Sequence, residues 1–220
     1  MVAVQTHATT NRFEAVLWDY GGIFTASPFA AAHTYARSQG IEPETLIEVV
    51  FGSYDTDTDH AWHQLERGEI AFVEALTRIQ ADAAAAGFRF DTGEMFSLMV
   101  ADEIDRTLVV DAVRMVRAKG LRTAIITNNI REYGDMWRTQ FPLDELFDAV
   151  VDSCEEGIRK PDPAIFRRAL QRVRVEDATR AIFLDDFPGN VAAARALGMR
   201  GIVVGDDPAP ALDELAALLA

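Results

Sequence analysis

The chain has 220 residues, of which 49% are hydrophobic and 25% are charged, a balance typical of folded globular proteins and unlike that of disordered or fibrous ones. Acidic residues outnumber basic ones by 35 to 21, and the net charge of −14 argues against a nucleic-acid partner because an acidic surface repels a phosphate backbone. No apolar run reaches the roughly 18 residues of a membrane span. The single cysteine, Cys154, cannot form an internal disulfide, and residues 1–12 are expected to be a loose leader without a secretory signal. We therefore expect a cytoplasmic protein with no membrane partner.

The first predicted element is a short buried strand. The apolar run Ala15–Trp18 stops abruptly at the sequence DYGG, which begins with Asp19. Helical periodicity follows from about residue 28 to residue 100. Apolar residues recur there at helical spacing, first in Leu46, Ile47 and Val50 and then in Ile70, Val73, Leu76 and Ile79. This stretch is predicted to contain helices and no strand.

Helices and strands alternate after this stretch. Helices are predicted over 109–118, 131–140, 164–173, 190–197 and 210–219, and strands over 121–126, 147–151, 181–184 and 202–204. Such alternation is typical of an α/β fold with a Rossmann-like parallel sheet flanked by helices. The first strand is therefore expected to belong to a core formed by residues 13–25 and 101–220. Residues 26–100 are then a small all-helical cap domain inserted after the first strand.

Polar side chains follow four of the predicted strands. They are Asp19 after the first strand, Thr127 and Asn128 after the second, Lys160 in the loop after the third, and Asp185 and Asp186 after the fourth. Ligands of open parallel sheets bind beyond the carboxyl ends of the strands, so these side chains are expected to face one crevice. Clustered carboxylates repel one another unless a cation joins them, and oxygen ligands suit Mg²⁺, which commonly bridges to a phosphate. The pattern predicts a magnesium site for a phosphorylated ligand.

Asp19 is the candidate nucleophile of this site. A carboxylate can attack phosphorus to give an aspartyl phosphate, which water then hydrolyses. Lys160 would orient Asp19 and offset charge on the transferring group, while Thr127 and the amide region of Asn128 would donate hydrogen bonds to its oxygens. Taken singly, each residue has an alternative role in a turn, a helix cap or a solvated surface. Their joint position at successive strand ends favours a site.

Four segments resemble, in order and spacing, the motifs of the haloacid dehalogenase-like hydrolase superfamily. They are VLWDYGGIFTAS, AIITNN, GIRKPDPAIF and IFLDDFPGNVAAARALGM, and the resemblance extends from about residue 13 to the end of the chain. It implies the superfamily branch with a helical cap between the first two motifs. The implied roles are nucleophile for Asp19, phosphate-binding hydroxyl for Thr127, motif lysine for Lys160, and magnesium ligands for Asp185, Asp186 and the backbone carbonyl of Gly21.

Gly21 departs from the superfamily pattern. Typical phosphatases of this kind have a second aspartate there, which protonates the leaving group and activates water, and such help is worth about 10² to 10⁴ in rate. Three explanations stay open. The substrate has a good leaving group, such as an acyl phosphate; or His60, His63 or Asp57 of the cap supplies the proton; or catalysis has been lost.

The expected function is a magnesium-dependent phosphatase of a small phosphorylated metabolite, acting as a monomer or a homodimer. The alternative is a weakened or inactive protein that binds a phosphorylated ligand or a partner. Metal-free dehalogenation is disfavoured because Asp185 and Asp186 would lack a neutralising cation. The phosphonate-cleaving branch needs a cap lysine, and residues 26–100 contain none. A phosphomutase would need the aspartate that Gly21 replaces. The pair His60 and His63 could bind a transition metal, although surface or cap packing is favoured.

Overall fold

A five-stranded parallel sheet lies at the centre of the computed structural model, which describes residues 12–101, 106–140 and 142–220. The strands are β1 (Ala15–Trp18), β2 (Arg122–Thr127), β3 (Ala149–Asp152), β4 (Ala181–Asp185) and β5 (Arg200–Val203). Their order is β3-β2-β1-β4-β5, and every neighbouring pair is parallel. The predicted α/β fold is confirmed. The predicted leader lies outside the described residues, except for residue 12.

Five helices follow β1 in the chain. They are α1 (Pro28–Gln39), α2 (Pro43–Phe51), α3 (Ala61–Glu66), α4 (Phe72–Ala85) and α5 (Thr92–Ala101), and they are called the helical insert below. The described residues of this stretch contain no strand, as the periodicity predicted. The insert has an apolar cluster of its own, to which Tyr35, Leu46, Leu65 and Ile79 contribute. None of the described helices is long and apolar enough to cross a membrane.

The helix face predicted for α4 is partly wrong. The i, i+3 spacing of Ile70, Val73, Leu76 and Ile79 suggested one shared face, but Val73 is 74% exposed. The buried residues of α4 are instead Ala75, Ile79 and Ala83, which are spaced by four. Residues spaced by three do not stay on one face, because a helix has 3.6 residues per turn. In addition, two of the three buried positions are alanines, which contribute little to a hydropathy pattern.

The remaining helices cover the two faces of the sheet. They are α6 (Thr107–Ala118), α7 (Gly134–Arg138), α8 (Leu143–Leu146), α9 (Ser153–Glu156), α10 (Pro163–Arg172), α11 (Pro188–Ala196) and α12 (Ala209–Leu218). The helix predicted over 131–140 is a 3₁₀ turn at Arg131–Tyr133 followed by the short α7. The four-residue helices α8 and α9 were not predicted, because one turn gives no periodicity to detect.

Both faces of β1 are buried, which explains its uninterrupted apolar sequence. Val16 and Trp18 pack in a cluster with side chains of α6 and α12, whereas Ala15 and Leu17 pack on the opposite face with side chains of α10. Parallel strands covered by helices on both faces characteristically lack a polar alternation. Asp19, which directly follows this strand, is therefore the first polar side chain after the apolar run.

A buried ion pair joins the helical insert to the sheet domain. Nε of Arg159 donates to Oε2 of Glu66 at 2.7 Å, and the two side chains are 0% and 3% exposed. Trp62 Nε1 donates to the other Glu66 oxygen at 2.8 Å. Arg159 directly precedes Lys160 in the chain, so this pair fixes the insert against the loop that carries the candidate lysine.

Removing the Glu66 carboxylate is expected to destabilise the protein strongly, because it leaves Arg159 charged and buried. We expect Glu66→Ala to lower the free energy of unfolding by about 3 to 5 kcal/mol in urea titrations followed by circular dichroism. The matched control is Glu69→Ala, which breaks the ion pair between Glu69 and Arg67. The side chain of Glu69 is 47% exposed. That variant is expected to lose less than about 1 kcal/mol. Equal losses in the two variants would contradict a buried pair at Glu66.

Candidate active site

Strand register brings the predicted site residues to one edge of the sheet. Trp18 of β1 is paired with Leu184 of β4, and the amide of Asp19 donates to the Leu184 carbonyl at 2.8 Å. Asp19 and Asp185, each the next residue along its strand, therefore lie side by side. Thr127 is the last residue of β2, the strand on the other side of β1.

Three carboxylates and one ammonium group meet at this edge. Carboxylate oxygens of Asp19, Asp185 and Asp186 lie within 4.8 Å of one another. Nζ of Lys160 lies 2.7 Å from Oδ1 of Asp19 and 2.7 Å from Oδ2 of Asp185. Four of the residues predicted from the strand ends thus form one cluster.

The charges of this cluster do not balance. Burial raises the pKa of Asp19 well above its ordinary value, Lys160 opposes that rise, and the charges of Asp185 and Asp186 add to it. Burial and the charge of Asp185 likewise raise the pKa of Asp186 to about 6. One ammonium group cannot neutralise three carboxylates, and hard oxygen donors in this number suit a divalent cation such as Mg²⁺.

The two neighbouring aspartates of the cluster have different surroundings. Asp185 is fully buried and accepts hydrogen bonds from Lys160 Nζ at 2.7 Å, from the Phe187 amide at 2.8 Å and from Asn190 Nδ2 at 3.1 Å. Asp186 is half-buried and accepts a hydrogen bond from the hydroxyl of Ser27 at 2.8 Å. The contacts of Ser27 and Asn190 were not predicted, since nothing in the spacing of these residues points to them.

Asn128 supports Lys160 through its side chain. Its Nδ2 donates to the Lys160 carbonyl at 3.0 Å, and its Oδ1 accepts from the Lys160 amide at 2.8 Å. This contact uses one of the two N–H donors of Nδ2, and the predicted donation from the amide region of Asn128 to a substrate stays a prediction. Thr127 lines the cavity beside it, and its hydroxyl has no hydrogen bond to any residue that the structure describes.

Two adjacent glycines shape the loop after Asp19 in different ways. Gly22 has φ of 70°, and a Cβ atom there would lie 2.0 Å from Oδ2 of Asp186. The backbone can approach Asp186 closely only because Gly22 has no side chain. A Cβ atom at Gly21 would meet only Pro28, at 3.9 Å, so space does not explain the glycine at that position.

The three candidate proton donors of the insert do not line the cavity beside Asp19. His60 caps α3, where its Nδ1 accepts from the Trp62 amide at 3.1 Å. His63 is fully buried within the insert, and burial lowers its pKa to about 3. Asp57 instead forms an ion pair with Arg67.

A cavity of about 320 Å³ connects the cluster to the helical insert. Asp19, Thr127, Lys160 and Asp186 line it on the side of the sheet. Mostly apolar side chains of the insert line it on the other side, among them Val50, Phe51, Leu65, Ala75, Ile79 and Phe90, and Arg106 and Gln140 line it from outside the insert. A deep pocket that combines a few polar groups with apolar walls is the usual form of a small-molecule site.

This fold, with clustered carboxylates at the carboxyl ends of its parallel strands, is typical of a class of α/β hydrolases. A family model described as haloacid dehalogenase-like hydrolase matches residues 6–198, and the chain belongs to that family.

Curated relatives include longer proteins, of which the chain matches a part, and one protein of similar length. The chain is 35% identical to mouse acyl-CoA dehydrogenase family member 10 and 31% identical to mouse bifunctional epoxide hydrolase 2, over 97% and 90% of its own length. It spans only 20% and 37% of those two proteins. It is 26% identical to the sesquiterpene phosphatase of Aspergillus oryzae, over 91% of this chain and 94% of that protein.

Solved structures of the same fold serve more than one chemistry. A HAD-like family hydrolase from Porphyromonas gingivalis has a TM-score of 0.64 at 19% identity and covers 93% of this chain and 98% of its own. A HAD family enzyme from Bacteroides thetaiotaomicron, in complex with magnesium and inorganic phosphate, has a TM-score of 0.59 at 19% identity, covering 89% and 96%. An L-2-haloacid dehalogenase has a TM-score of 0.64 at 17% identity, covering 93% and 99%. At these identities the likeness shows the fold, and the residues of the site must indicate the reaction.

The close approach of Gly22 to Asp186 gives a test of the cluster's geometry. Gly22→Ala is expected to displace the Asp186 carboxylate and to weaken magnesium binding, measured by calorimetry, by about tenfold or more. Gly40→Ala is the matched control, since Gly40 has φ of 68° but nothing within 4 Å of an added Cβ. Both variants are expected to lose about 1 kcal/mol or more of stability through left-handed backbone strain. Unchanged magnesium affinity in Gly22→Ala would contradict a role of Asp186 in the cation site.

Proposed function

We propose that this chain is a magnesium-dependent hydrolase of phosphoryl compounds that acts through an aspartyl phosphate on Asp19. The observation that carries the proposal is the placement of Lys160 between Asp19 and Asp185, beside a cluster with excess negative charge at the edge of a cavity. The phosphatase among the relatives and the magnesium and phosphate bound by a structural neighbour support it. In this proposal residues 26–100 form the cap domain that closes the site.

Asp19, Asp186 and the backbone carbonyl of Gly21 would hold the magnesium ion. Asp185, predicted as a further ligand, already accepts hydrogen bonds from Lys160, Asn190 and a backbone amide, so its role in this proposal is to position Lys160. A magnesium ion held there would neutralise the carboxylates and would supply Lewis-acid stabilisation of charge on the phosphoryl group.

The chain's own residues then carry out two displacements at phosphorus. Oδ1 of Asp19 is held by Lys160 and by the Tyr20 amide at 2.6 Å, so the carboxylate is fixed in one orientation. A carboxylate oxygen of Asp19 bonds to phosphorus as the bond to the leaving oxygen breaks, and the leaving group takes the electron pair. Water then attacks phosphorus, and phosphate and the Asp19 carboxylate are released.

Two donors are available to the transferring phosphoryl group. An ammonium group has three N–H donors, and Lys160 uses two of them on Asp19 and Asp185. The third can donate to a phosphoryl oxygen, as can the hydroxyl of Thr127. Donors fixed in advance stabilise the charge that develops on those oxygens in the transition state.

Replacement of the nucleophile tests the proposal directly. Asp19→Asn is expected to abolish turnover of 4-nitrophenyl phosphate, whose leaving group needs little protonation, and chelation of magnesium is expected to do the same to the unmodified protein. Asp213→Asn, an exposed change on α12, is the matched control and should retain full turnover. Acid-quenched protein should carry a phosphoryl group on Asp19, detected by mass spectrometry. Turnover that survives Asp19→Asn would refute the assignment of the nucleophile.

Gly21 favours the second candidate function, a protein that binds a phosphorylated ligand with little or no turnover. Gly21→Asp fits the available space and restores the missing acid, so an enzyme weakened by this glycine should gain about 10² to 10⁴ in kcat on simple alkyl phosphates. Gly21→Asn is the matched control, because it has the same shape and no proton to give. If the aspartate variant gains no more than the asparagine variant, the binding protein becomes the better account.

A further inference from the structure

The helical insert forms an apolar chamber that is continuous with the candidate phosphoryl site. Among its walls are Phe51, Trp62, Leu65, Phe90 and Met95, and they line the same cavity as Asp19 and Lys160. A substrate whose phosphoryl group lies at the cluster therefore has its remaining atoms directed into this space or out to solvent. At about 320 Å³ the cavity has the volume of a small organic ligand.

The chamber offers few polar groups to a substrate. The polar side chains that line the cavity away from the cluster include Thr92 of the insert, Arg106 and Gln140 outside it, and Tyr54, Tyr133, Asn129 and Glu66. Glu66 is the only charged side chain that the described residues of the insert contribute to its walls. Its carboxylate is already bonded to Arg159 and Trp62. A sugar or another polyhydroxy compound would lose more hydrogen bonds to water here than these few groups could replace, and each polar group left unpaired in a buried site weakens binding. A hydrocarbon chain would gain free energy by entering.

On α4, the small residue Ala75 faces this space beside the larger Phe72, Leu76 and Ile79. Ala75 is fully buried and lines the cavity, whereas the larger Val73 on the same helix is 74% exposed. A large side chain at position 75 would fill part of the chamber. The chamber is thus a property of this helix face, and it can be altered by one substitution.

A second feature limits the kind of bond that can join the hydrocarbon part of a substrate to its phosphorus atom. Gly21 has no acid to give, and His60, His63 and Asp57 do not line the cavity, so none of these positions offers a proton to the departing oxygen. A leaving group that is stable as an anion needs no such proton. The carboxylate of an acyl phosphate and the phosphate of a diphosphate ester both meet this condition.

We infer that the substrate is an amphiphilic phosphoryl compound, with a hydrocarbon tail in the chamber and a leaving oxygen that departs as a stable anion. This inference rests on the proposed function. For an acyl phosphate, the bond from phosphorus to the carboxylate oxygen breaks, and water converts the Asp19 phosphate to inorganic phosphate and free carboxylate. For a diphosphate ester, the terminal phosphorus is transferred to Asp19 and a phosphate monoester leaves.

The test compares substrates that share a leaving group and differ in the tail. Going from acetyl phosphate to butanoyl, hexanoyl and octanoyl phosphate, kcat/KM is expected to rise by about fourfold per methylene buried until the chamber is full. Methyl diphosphate and geranyl diphosphate form the second series and distinguish the two kinds of leaving group. Equal kcat/KM across the tails in both series would overturn the inference.

The chamber itself is tested with one variant and one control. Ala75→Phe is expected to reduce the ratio of octanoyl to acetyl phosphate turnover by at least tenfold, because it removes space that the longer tail uses. Val73→Phe adds the same ring to the outer face of α4 and should leave the ratio unchanged. A ratio that is the same in Ala75→Phe and in the unmodified protein would place the tail elsewhere and overturn the inference.

A binding measurement on the unmodified protein separates this inference from the proposed function, and it does not depend on the folding of any variant. Octylphosphonate and methylphosphonate, which cannot be hydrolysed, are titrated by calorimetry with magnesium present. Tight binding of octylphosphonate alone, with no turnover of any phosphate, would support the chamber and refute the hydrolase. Turnover of aryl phosphates with equal affinity for the two phosphonates would support the hydrolase and refute the chamber.

Discussion

Mutual repulsion among three carboxylates at one sheet edge is the constraint on which the rest of this site depends. Asp19, Asp185 and Asp186 are held within reach of one another although burial and proximity both disfavour their charged forms. The fold sustains them with a buried lysine, with the amide group of Asn190 and with backbone amides. This arrangement is less stable than an apolar one would be, and it gains from a cation that relieves the repulsion.

Parallel-sheet geometry explains how much of this site could be predicted from the sequence. In such a sheet every strand presents its carboxyl end at the same edge, so order along the chain becomes proximity in space. The positions of Asp19 and Asp185 could be predicted once the two apolar runs before them were recognised as strands. The register of those strands places the two aspartates side by side. Thr127 followed by the same reasoning, because it is the last residue of β2. Lys160 was predicted from the connection that follows β3, although α9 lies between that strand and the lysine.

The features that could not be predicted depend on how the insert lies against the sheet. Neither the pair of Arg159 with Glu66 nor the contact of Ser27 with Asp186 leaves a local signal, since the partners are 93 and 159 residues apart. The inward face of α4 was also missed, because alanine carries little weight in a hydropathy pattern, although an alanine of this helix lines the chamber. Asn128 shows a related limit, since its residue type allowed contact with a ligand or with the backbone, and only the geometry shows that it holds Lys160.

Gly21 and the apolar chamber are both consistent with a site that limits negative charge near the carboxylate cluster. An aspartate at position 21 would be a fourth acid beside three carboxylates whose charge is already unbalanced, and it would raise the repulsion further. A substrate that leaves as a stable anion does not need that acid to protonate the leaving group, so its absence relieves the cluster without slowing the transfer of the phosphoryl group to Asp19. The tail then supplies through burial the binding free energy that a polar substrate would draw from hydrogen bonds. On this view the carboxylate cluster at the sheet edge determines which bond of the substrate breaks, and the helical insert determines which substrates bind.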